Sequence, residues 1–254
     1  MQALARPRAC VYAGGTDLLV ALTARQPWTA GISELVDIKH LDAAKGIAAL
    51  RDSLRIGALV TADELASSAI VRREASALAE AAAVTSAPAL SRRGTVGGNI
   101  VTPHPAGDVV TALLALDATA EVLEDGATSE RPLADFMTSR SRKPSRGRLI
   151  VAVTIRNCRL SAFEKFGPRA AFSRSIVSAC VTVLDGTVRV ALGGLSSRPF
   201  LAAKTAAAAA EGHPLKAALM EECRPPFDGR APVSYRLALA DALVGKALLR
   251  ARRS

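Results

Sequence analysis

Aromatic residues are scarce in this sequence: they make up 4% of its 254 residues, although 50% of the chain is hydrophobic. The core must therefore be built from Ala, Val, Leu and Ile, and a ligand would find few rings on which to stack. Surfaces that bind single-stranded nucleic acid use such rings, so their scarcity argues mildly against that function.

The formal net charge of +10 raises the same question, because basic surfaces bind phosphate backbones. The excess Arg residues are scattered, however, and no recognisable nucleic-acid module accompanies them. Their densest group, residues 140–148, has the composition of a solvated loop that could contact a partner. We therefore expect no specific nucleic-acid binding.

Cysteine pairs are also missing. The four cysteines lie far apart and none belongs to a Cys-x-x-Cys motif; they are Cys10, Cys158, Cys180 and Cys223. This spacing favours buried thiols in a reducing compartment over a zinc or iron–sulfur site within the chain. No run of about 18 apolar residues and no charged-then-apolar leader occurs. We therefore expect a cytoplasmic protein without a membrane span.

Two glycine-rich motifs stand out from this background. The first, Ala13-Gly-Gly-Thr-Asp, lies between a predicted strand and a predicted helix; the second, residues 94–108, reads Gly-Thr-Val-Gly-Gly-Asn-Ile-Val-Thr-Pro-His-Pro-Ala-Gly-Asp. Glycine lets the backbone approach an anion closely and present unpaired amides to it. Asp108, after two prolines, would be a fixed acceptor. Alone, the first motif is more simply an ordinary turn; together, the two predict a ligand with two phosphates, such as a dinucleotide.

The surrounding pattern does not fit a doubly wound nucleotide fold, because Gly-x-Gly-x-x-Gly is absent and the strands between the two motifs lie too close together for parallel crossovers. A capping box at Thr61 and Glu64 predicts a helix start. Strands are predicted at residues 10–13, 35–38, 47–50, 54–58, 118–123, 149–155, 163–166, 176–184 and 188–192. Helices are predicted at residues 18–22, 70–85, 109–116, 132–136, 201–211 and 233–250.

The motifs resemble those of a known family. Ala13-Gly-Gly-Thr-Asp-Leu-Leu, Val36-Asp-Ile, Leu54-Arg-Ile-Gly-Ala and residues 93–108 look like the FAD-binding medium subunit of the molybdenum hydroxylases, the family of xanthine dehydrogenase, carbon monoxide dehydrogenase and aldehyde oxidoreductases. Phe163-Glu-Lys, Ser175-Ile-Val-Ser-Ala, Gly193-Gly-Leu and Arg198-Pro are similar to its C-terminal domain.

The resemblance implies an α+β protein with two parts. Residues 1–157 would form a two-subdomain FAD-binding fold of the PCMH type, with a shortened N-terminal subdomain. Residues 158–254 would form a C-terminal domain like that of carbon monoxide dehydrogenase flavoproteins, in which an antiparallel sheet packs with helices.

The resemblance also implies an FAD bound in extended form, with its pyrophosphate between the two glycine motifs. Residues around the pyrophosphate and ribityl region would be Val11, Tyr12, Ala13, Gly14, Gly15, Thr16, Asp17 and Leu18. The opposing wall would be Thr95, Gly98, Asn99 and Thr102. Asp108 would accept from a ribose or ribityl hydroxyl, Ile150 would pack near the adenine or flavin end, and Lys165 lies where the family has a basic residue near the isoalloxazine. Residues 13–19 contain no His or Cys, so we expect the FAD to be non-covalent.

By the same resemblance, the protein would be an electron-transfer subunit. A large subunit with a molybdenum cofactor would oxidise the substrate, 2Fe-2S clusters in a small subunit would relay electrons, and the FAD would pass them to NAD or another acceptor. We assign no catalytic residue and no metal site, because the acidic residues are not spaced as a ligand set. His104, alone between two prolines, is expected to be a loop residue or a ligand neighbour.

Two alternatives stay open. One is a self-contained FAD-dependent oxidase of the vanillyl-alcohol-oxidase type, which would need its own substrate domain and base. The other is a non-catalytic basic binding protein that keeps the glycine loops without a flavin.

Overall fold

The structure is a computed structural model and describes residues 3–4, 6, 8–102, 104–138, 147–169, 173–225 and 228–253. The strands in these residues are β1 (Ala9–Tyr12), β2 (Glu34–Asp37), β3 (Ile47–Ala49), β4 (Ser53–Gly57), β5 (Thr119–Glu124), β6 (Ala127–Pro132), β7 (Arg148–Arg156), β8 (Ser161–Phe166), β9 (Val177–Leu184), β10 (Thr187–Gly193) and β11 (Phe200–Leu201). The helices are α1 (Leu18–Thr23), α2 (Ala62–Ser67), α3 (Ala69–Glu74), α4 (Ser76–Val84), α5 (Pro88–Ser91), α6 (Val96–Val101), α7 (Asp108–Ala115), α8 (Leu133–Thr138), α9 (Ala203–Glu211), α10 (Lys216–Glu222) and α11 (Val233–Ala251).

The N-terminal half contains two sheets. Strands β1 and β2 pair in parallel, and the other sheet has the order β3-β4-β7-β5-β6 with antiparallel neighbours. Its central strand β7 is almost wholly buried, which explains why its sequence is a near-continuous apolar run. Asp125 and Gly126 both have positive φ, as a tight hairpin turn between β5 and β6 requires.

The C-terminal half is built on one antiparallel sheet of order β11-β10-β9-β8. Its alternating rows face two different cores: Phe163, Cys180 and Ala191 pack into the core of the N-terminal half, whereas Val181 and Val190 pack under the C-terminal helices. Helices α4 and α7 contact this sheet from the N-terminal half, and α9 and α11 contact it from the C-terminal half. Because both faces are buried, the sheet joins the two halves of the chain.

Most predicted elements are confirmed, including the capping box at Thr61 and Glu64, in which both reciprocal bonds form. The single helix predicted over residues 70–85 was wrong. Ala75 leaves the helical region with φ −154° and separates α3 from α4. This break lets α4 reach the C-terminal half, where the Ser76 hydroxyl donates to the Ser161 carbonyl at 2.8 Å.

Among the described residues, five elements had no counterpart in the sequence pattern: β6, β11, α5, α6 and α10. Strand β6 is a polar edge strand without alternating apolar residues, and α6 contains two glycines, which disfavour helix. Most of the basic segment at residues 140–148 lies outside the described residues, and its last member, Arg148, begins β7 and pairs with Glu124. Among the residues that the structure does describe, no helix is both long and apolar enough to cross a membrane.

Candidate functional site

The first glycine motif forms the turn between β1 and α1. Gly15 has a φ of +72°, a conformation that side-chain-bearing residues rarely adopt. The carbonyls of Gly15 and Asp17 accept bonds from α1, but the amides of residues 14–17 donate to no acceptor in the described part of the chain. The motif therefore presents four free N–H groups beside the N-terminus of a helix, where an anion is favoured.

The second glycine motif is organised differently, because it contains helix α6. The hydroxyl of Thr95 caps this helix by accepting from the Gly98 amide at 3.1 Å. The amides of Val96 and Gly97 donate to the carbonyls of Val60 and Ala58, each at 2.8 Å. The prediction that this motif offers unpaired amides at its glycine pair was therefore wrong: the Gly97 amide is used in docking α6 on the preceding segment, and the Gly98 amide is used in capping that helix.

The glycine at position 97 serves this docking. A Cβ atom there would lie 2.9 Å from the Ala58 Cβ and 3.1 Å from the Ala58 carbonyl oxygen, too close for ordinary packing. The second motif therefore faces the larger cleft mainly through side chains, and the polar ones are Thr95, Asn99, Thr102 and His104.

The two motifs touch each other. A Cβ atom on Gly14 would lie 1.8 Å from the carbonyl oxygen of Arg93, so only glycine permits this approach. Two clefts flank the contact, and Thr95 lines both. The smaller cleft, of about 470 Å³, is lined by Ala13, Gly14, Lys39, Lys45, Arg92 and Arg93 among others. The larger, of about 790 Å³, is lined by Thr16 and Asp17 of the first motif and, facing them, by Thr95, Asn99, Thr102 and His104 of the second. The structure thus brings the two predicted halves of the site together.

Three residues of the first motif region support it instead of lining the clefts. Val11 packs against the core, and Leu18 is half-buried at the start of α1. Tyr12 is also half-buried, and the ammonium of Lys39 lies 4.8 Å from the centroid of its ring.

Three other predicted site residues lie in the interior. Lys165 and Asp108 form an ion pair of 3.0 Å, with side chains only 6% and 1% exposed. Lys165 also donates to the carbonyls of Val84 at 2.8 Å and Ser173 at 2.9 Å, which occupies all three of its ammonium hydrogens. Ile150 is buried in β7. The roles predicted for these three side chains at a cofactor stay predictions.

The Asp108 carboxylate is nevertheless a link between elements. Its Oδ1 atom accepts from the Ser175 hydroxyl at 2.7 Å, and Ser175 lines the larger cleft. Burial raises the pKa of the Asp108 carboxyl, while Lys165 and Ser175 oppose that rise. The pair ties α7 to β8 behind the cleft wall.

The far wall of the larger cleft contains arginines that the sequence patterns did not reveal. Arg230 donates to the carbonyls of Arg174 at 2.7 Å and Ser175 at 3.2 Å. Arg236 is 1% exposed and donates to the carbonyls of Ile176 and Gly194, both at 2.9 Å.

A sequence signal for the buried arginine does exist. Arg236 lies four residues before Ala240, on the same apolar stripe of α11 that continues through Val244 and Ala247. A charged residue on the buried face of an amphipathic helix needs fixed partners, and here the Asp228 carboxylate and the backbone carbonyls at the cleft wall provide them.

His104 lines the larger cleft from the second motif. Its Nδ1 atom accepts from the Ala106 amide at 3.0 Å. Burial lowers the pKa of its imidazole, the positive charges of Arg174 and Arg230 lower it further, and Asp17 opposes them. The ring is therefore neutral at physiological pH.

Free amides at one wall, hydroxyl and amide side chains at the other, and arginines at the far side define a binding site for a phosphate-containing cofactor in an α+β protein. Residues 1–156 match the family described as the FAD binding domain in molybdopterin dehydrogenase. The chain belongs to this family. The resemblance stated from the sequence, the α+β fold class and FAD as the cofactor of the family are thereby confirmed.

Individual relatives agree with this assignment. The nicotinate dehydrogenase FAD-subunit of Eubacterium barkeri is 34% identical over 126 residues, which cover 50% of this chain and 42% of that protein. The match thus spans well under half of that relative. The aldehyde oxidoreductase FAD-binding subunit PaoB of Escherichia coli is 28% identical, with 76% of this chain and 77% of that protein covered.

A solved structure of carbon monoxide dehydrogenase from Hydrogenophaga pseudoflava, which lacks the Mo-pyranopterin moiety of the molybdenum cofactor, has the same fold. It superimposes with a TM-score of 0.88 at 24% identity and covers 99% of this chain and 94% of that one.

Proposed function

We propose that this chain is the FAD-binding electron-transfer subunit of a molybdenum hydroxylase-type dehydrogenase. The observation that carries the proposal is the contact between the two glycine motifs at Gly14, which leaves free amides on one wall and polar side chains on the other. Residues 1–157 would be the FAD-binding domain, and residues 158–254 the C-terminal domain.

The residues present suit the two phosphates of FAD. The amides of residues 14–17 and the N-terminus of α1 would bind the pyrophosphate, since they have no competing partner in the described chain. The hydroxyl of Thr16 lies on the same wall, and the hydroxyls of Thr95 and Thr102 lie opposite. Asn99 accepts from the Val110 amide through Oδ1 at 3.3 Å, which orients its NH₂ group as a free donor.

The interior residues Asp108 and Lys165 would support the cofactor site indirectly. Asp108 and Lys165 would hold the walls at Val84, Ser173 and Ser175, and they would reach the cofactor only if their ion pair opened. The bound isoalloxazine would supply the redox chemistry, and the protein would supply binding, orientation and electrostatic tuning.

We further propose that the complex contains a large subunit with the molybdenum cofactor and a small subunit with 2Fe-2S clusters, and that electrons leave the FAD for NAD or another acceptor. The names of the relatives support a multi-subunit arrangement, because one is called an FAD-subunit and another an FAD-binding subunit. A cytoplasmic location stays a prediction from the cysteines, which are all free thiols in the structure.

The visible spectrum of the purified protein tests the cofactor directly. We expect flavin absorbance bands, with FAD released into solution when the protein is denatured. A colourless protein that also fails to bind added FAD would overturn the proposal and favour the non-catalytic alternative. Oxidation of a small substrate by this chain alone would favour the self-contained oxidase, and co-purification of a molybdenum-containing chain would favour the subunit.

A pair of glycine variants tests the site. Gly14→Val should abolish FAD retention, because any Cβ collides with the Arg93 carbonyl and pushes the motifs apart. Gly245→Ala is the matched control: a Cβ there meets no atom within 4 Å, so FAD retention should stay unchanged. Equal flavin content in both variants would contradict the proposed position of the pyrophosphate.

A further inference from the structure

The orientation of His104 is set by its own loop. Its Nδ1 atom accepts from the Ala106 amide at 3.0 Å, and its own amide donates to the Thr102 carbonyl at 2.8 Å. A backbone amide can donate only to an unprotonated ring nitrogen, so in the neutral imidazole the hydrogen must sit on Nε2. The loop therefore selects one tautomer.

The loop that carries this histidine is itself anchored. The Pro105 carbonyl accepts from the Gly194 amide at 2.8 Å, which ties the loop to the C-terminal sheet. Rotation of the ring would break the Ala106 bond without offering an equivalent one. The imidazole is therefore a pre-oriented group, and pre-orientation lowers the entropy lost on binding a ligand.

The remaining ring nitrogen is free. His104 is half-buried and lines the larger cleft, and Nε2 has no hydrogen-bond partner in the described part of the chain. The Nε2 atom is not among the buried side-chain atoms that lack a partner in the described residues, so a ligand in the cleft can reach it. The cleft thus presents a directed neutral donor at Nε2, in addition to the amides of the first motif and the NH₂ group of Asn99.

The neighbouring charges explain why a neutral donor suits this position. Arg174 and Arg230 already place positive charge on the far wall, and Asp17 places negative charge on the near wall. A neutral N–H group adds a directed contact without changing this balance, whereas a protonated imidazole would lose its bond to Ala106.

We propose that His104 is a cofactor-binding residue whose Nε2–H group donates a hydrogen bond to an acceptor atom of the bound FAD. This inference rests on the proposed function, since it requires FAD in the larger cleft. It assigns to the histidine a binding role and not that of a proton-transferring base, because its Nδ1 lone pair is occupied by a backbone amide.

Three variants separate a donor at Nε2 from mere filling of space. His104→Gln can place an amide N–H group near the position of Nε2, whereas His104→Asn can do so only near Nδ1, and His104→Ala removes both. We expect the dissociation constant for FAD to rise about three- to tenfold in the Ala and Asn variants, the loss typical of one hydrogen bond, and to return toward the wild-type value in the Gln variant. A changed flavin midpoint potential in the Ala variant would place the acceptor on the isoalloxazine, and an unchanged potential would place it on the ribityl or phosphate groups.

Nitrogen-15 NMR of the wild-type protein gives a second readout that does not depend on any variant folding. The chain has three histidines, and the other two, His40 and His213, are exposed and serve as internal references. We expect the Nε2-protonated tautomer for His104 before FAD is added, and a shift of its Nε2 signal alone on titration with FAD.

The outcomes are distinct. If wild-type protein binds FAD, but His104→Ala binds it equally well and the Nε2 signal does not move, the inference is overturned while the proposed function stands. If wild-type protein does not bind FAD under any condition, the proposed function itself fails. Equal weakening in the Gln and Ala variants, with a static Nε2 signal, would reduce the histidine to a packing residue and also overturn the inference.

Discussion

Removing one member alone of the buried pair of Asp108 and Lys165 should strongly destabilise the folded protein. Their side chains are 1% and 6% exposed and their charged atoms are 3.0 Å apart. Lys165→Met would leave the carboxylate buried with the Ser175 hydroxyl as its main partner, and removing one member of such a pair costs about 3–5 kcal/mol. Asp108→Asn should cost less, about 1–3 kcal/mol, because the ammonium keeps two backbone carbonyls and can still donate to the amide oxygen.

The destabilisation should also depend on pH in a defined direction. Burial already raises the pKa of the Asp108 carboxyl, and loss of the Lys165 charge would raise it further above its value in the unfolded chain. A folded-state pKa that is raised gives stability that is present below the unfolded-state pKa and is lost as pH rises through the folded-state pKa. The stability deficit of Lys165→Met relative to wild type should therefore shrink in acid.

Urea unfolding of the two single variants, the double variant and wild type, at neutral and acidic pH, measures both effects. The double variant should lose less stability than the sum of the single variants, by about 0.5–3 kcal/mol of coupling. Lys246→Met is the matched control, since its lysine is 64% exposed in an ion pair with Glu164 and should cost under about 1 kcal/mol. A Lys165→Met variant within about 0.5 kcal/mol of wild type at neutral pH, or a deficit that stays constant in acid, would refute the reasoning.

Three further predictions concern the second glycine motif. Gly97→Ala should cost about 1–3 kcal/mol in urea unfolding, because the new Cβ would meet Ala58 at 2.9 Å; a neutral result would show that α6 can shift freely. Thr95→Ala should lose about 1 kcal/mol with its helix cap while Thr95→Ser keeps it, and equal stability of the two would contradict the capping role. The pKa of His104 is lowered from its ordinary value of 6.5, so its contribution to stability is present above that value and is lost as pH falls through the folded-state pKa. In His104→Gln the urea midpoint should depend less on pH over this range than it does in wild type. The same pH dependence in both proteins would count against a buried neutral imidazole.

Local chemistry accounts for the features that could be predicted. The capping box at Thr61 and Glu64 is a four-residue signal, and the structure confirms it. The apolar runs of β7 and α7 have the length and spacing of a buried strand and helix, and both elements form. These signals, with two glycine motifs of recognisable form, were sufficient for the α+β class and the family.

The use of each glycine could not be predicted in the same way. The sequence of a glycine pair is the same whether its amides face a ligand or bond to the protein. Which of the two occurs depends on the carbonyls that the tertiary structure brings near. Among the described residues, no acceptor bonds to the amides of residues 14–17, which follow β1, whereas the Gly97 amide donates to the Ala58 carbonyl. The amides of the first motif are therefore unpaired, as predicted, and those of the glycine pair in the second motif are not.

The sequence by itself determined the two motifs, the order of most strands and helices, and the family to which the chain belongs. The tertiary structure alone decided that the motifs touch at Gly14, that Asp108 and Lys165 are paired in the interior, and that Arg236 holds the cleft wall. The physical reason is separation along the chain. Periodicity and capping act over a few residues, whereas these contacts join residues that are 42 to 79 positions apart, and no local pattern records which of many distant partners a buried charge will meet.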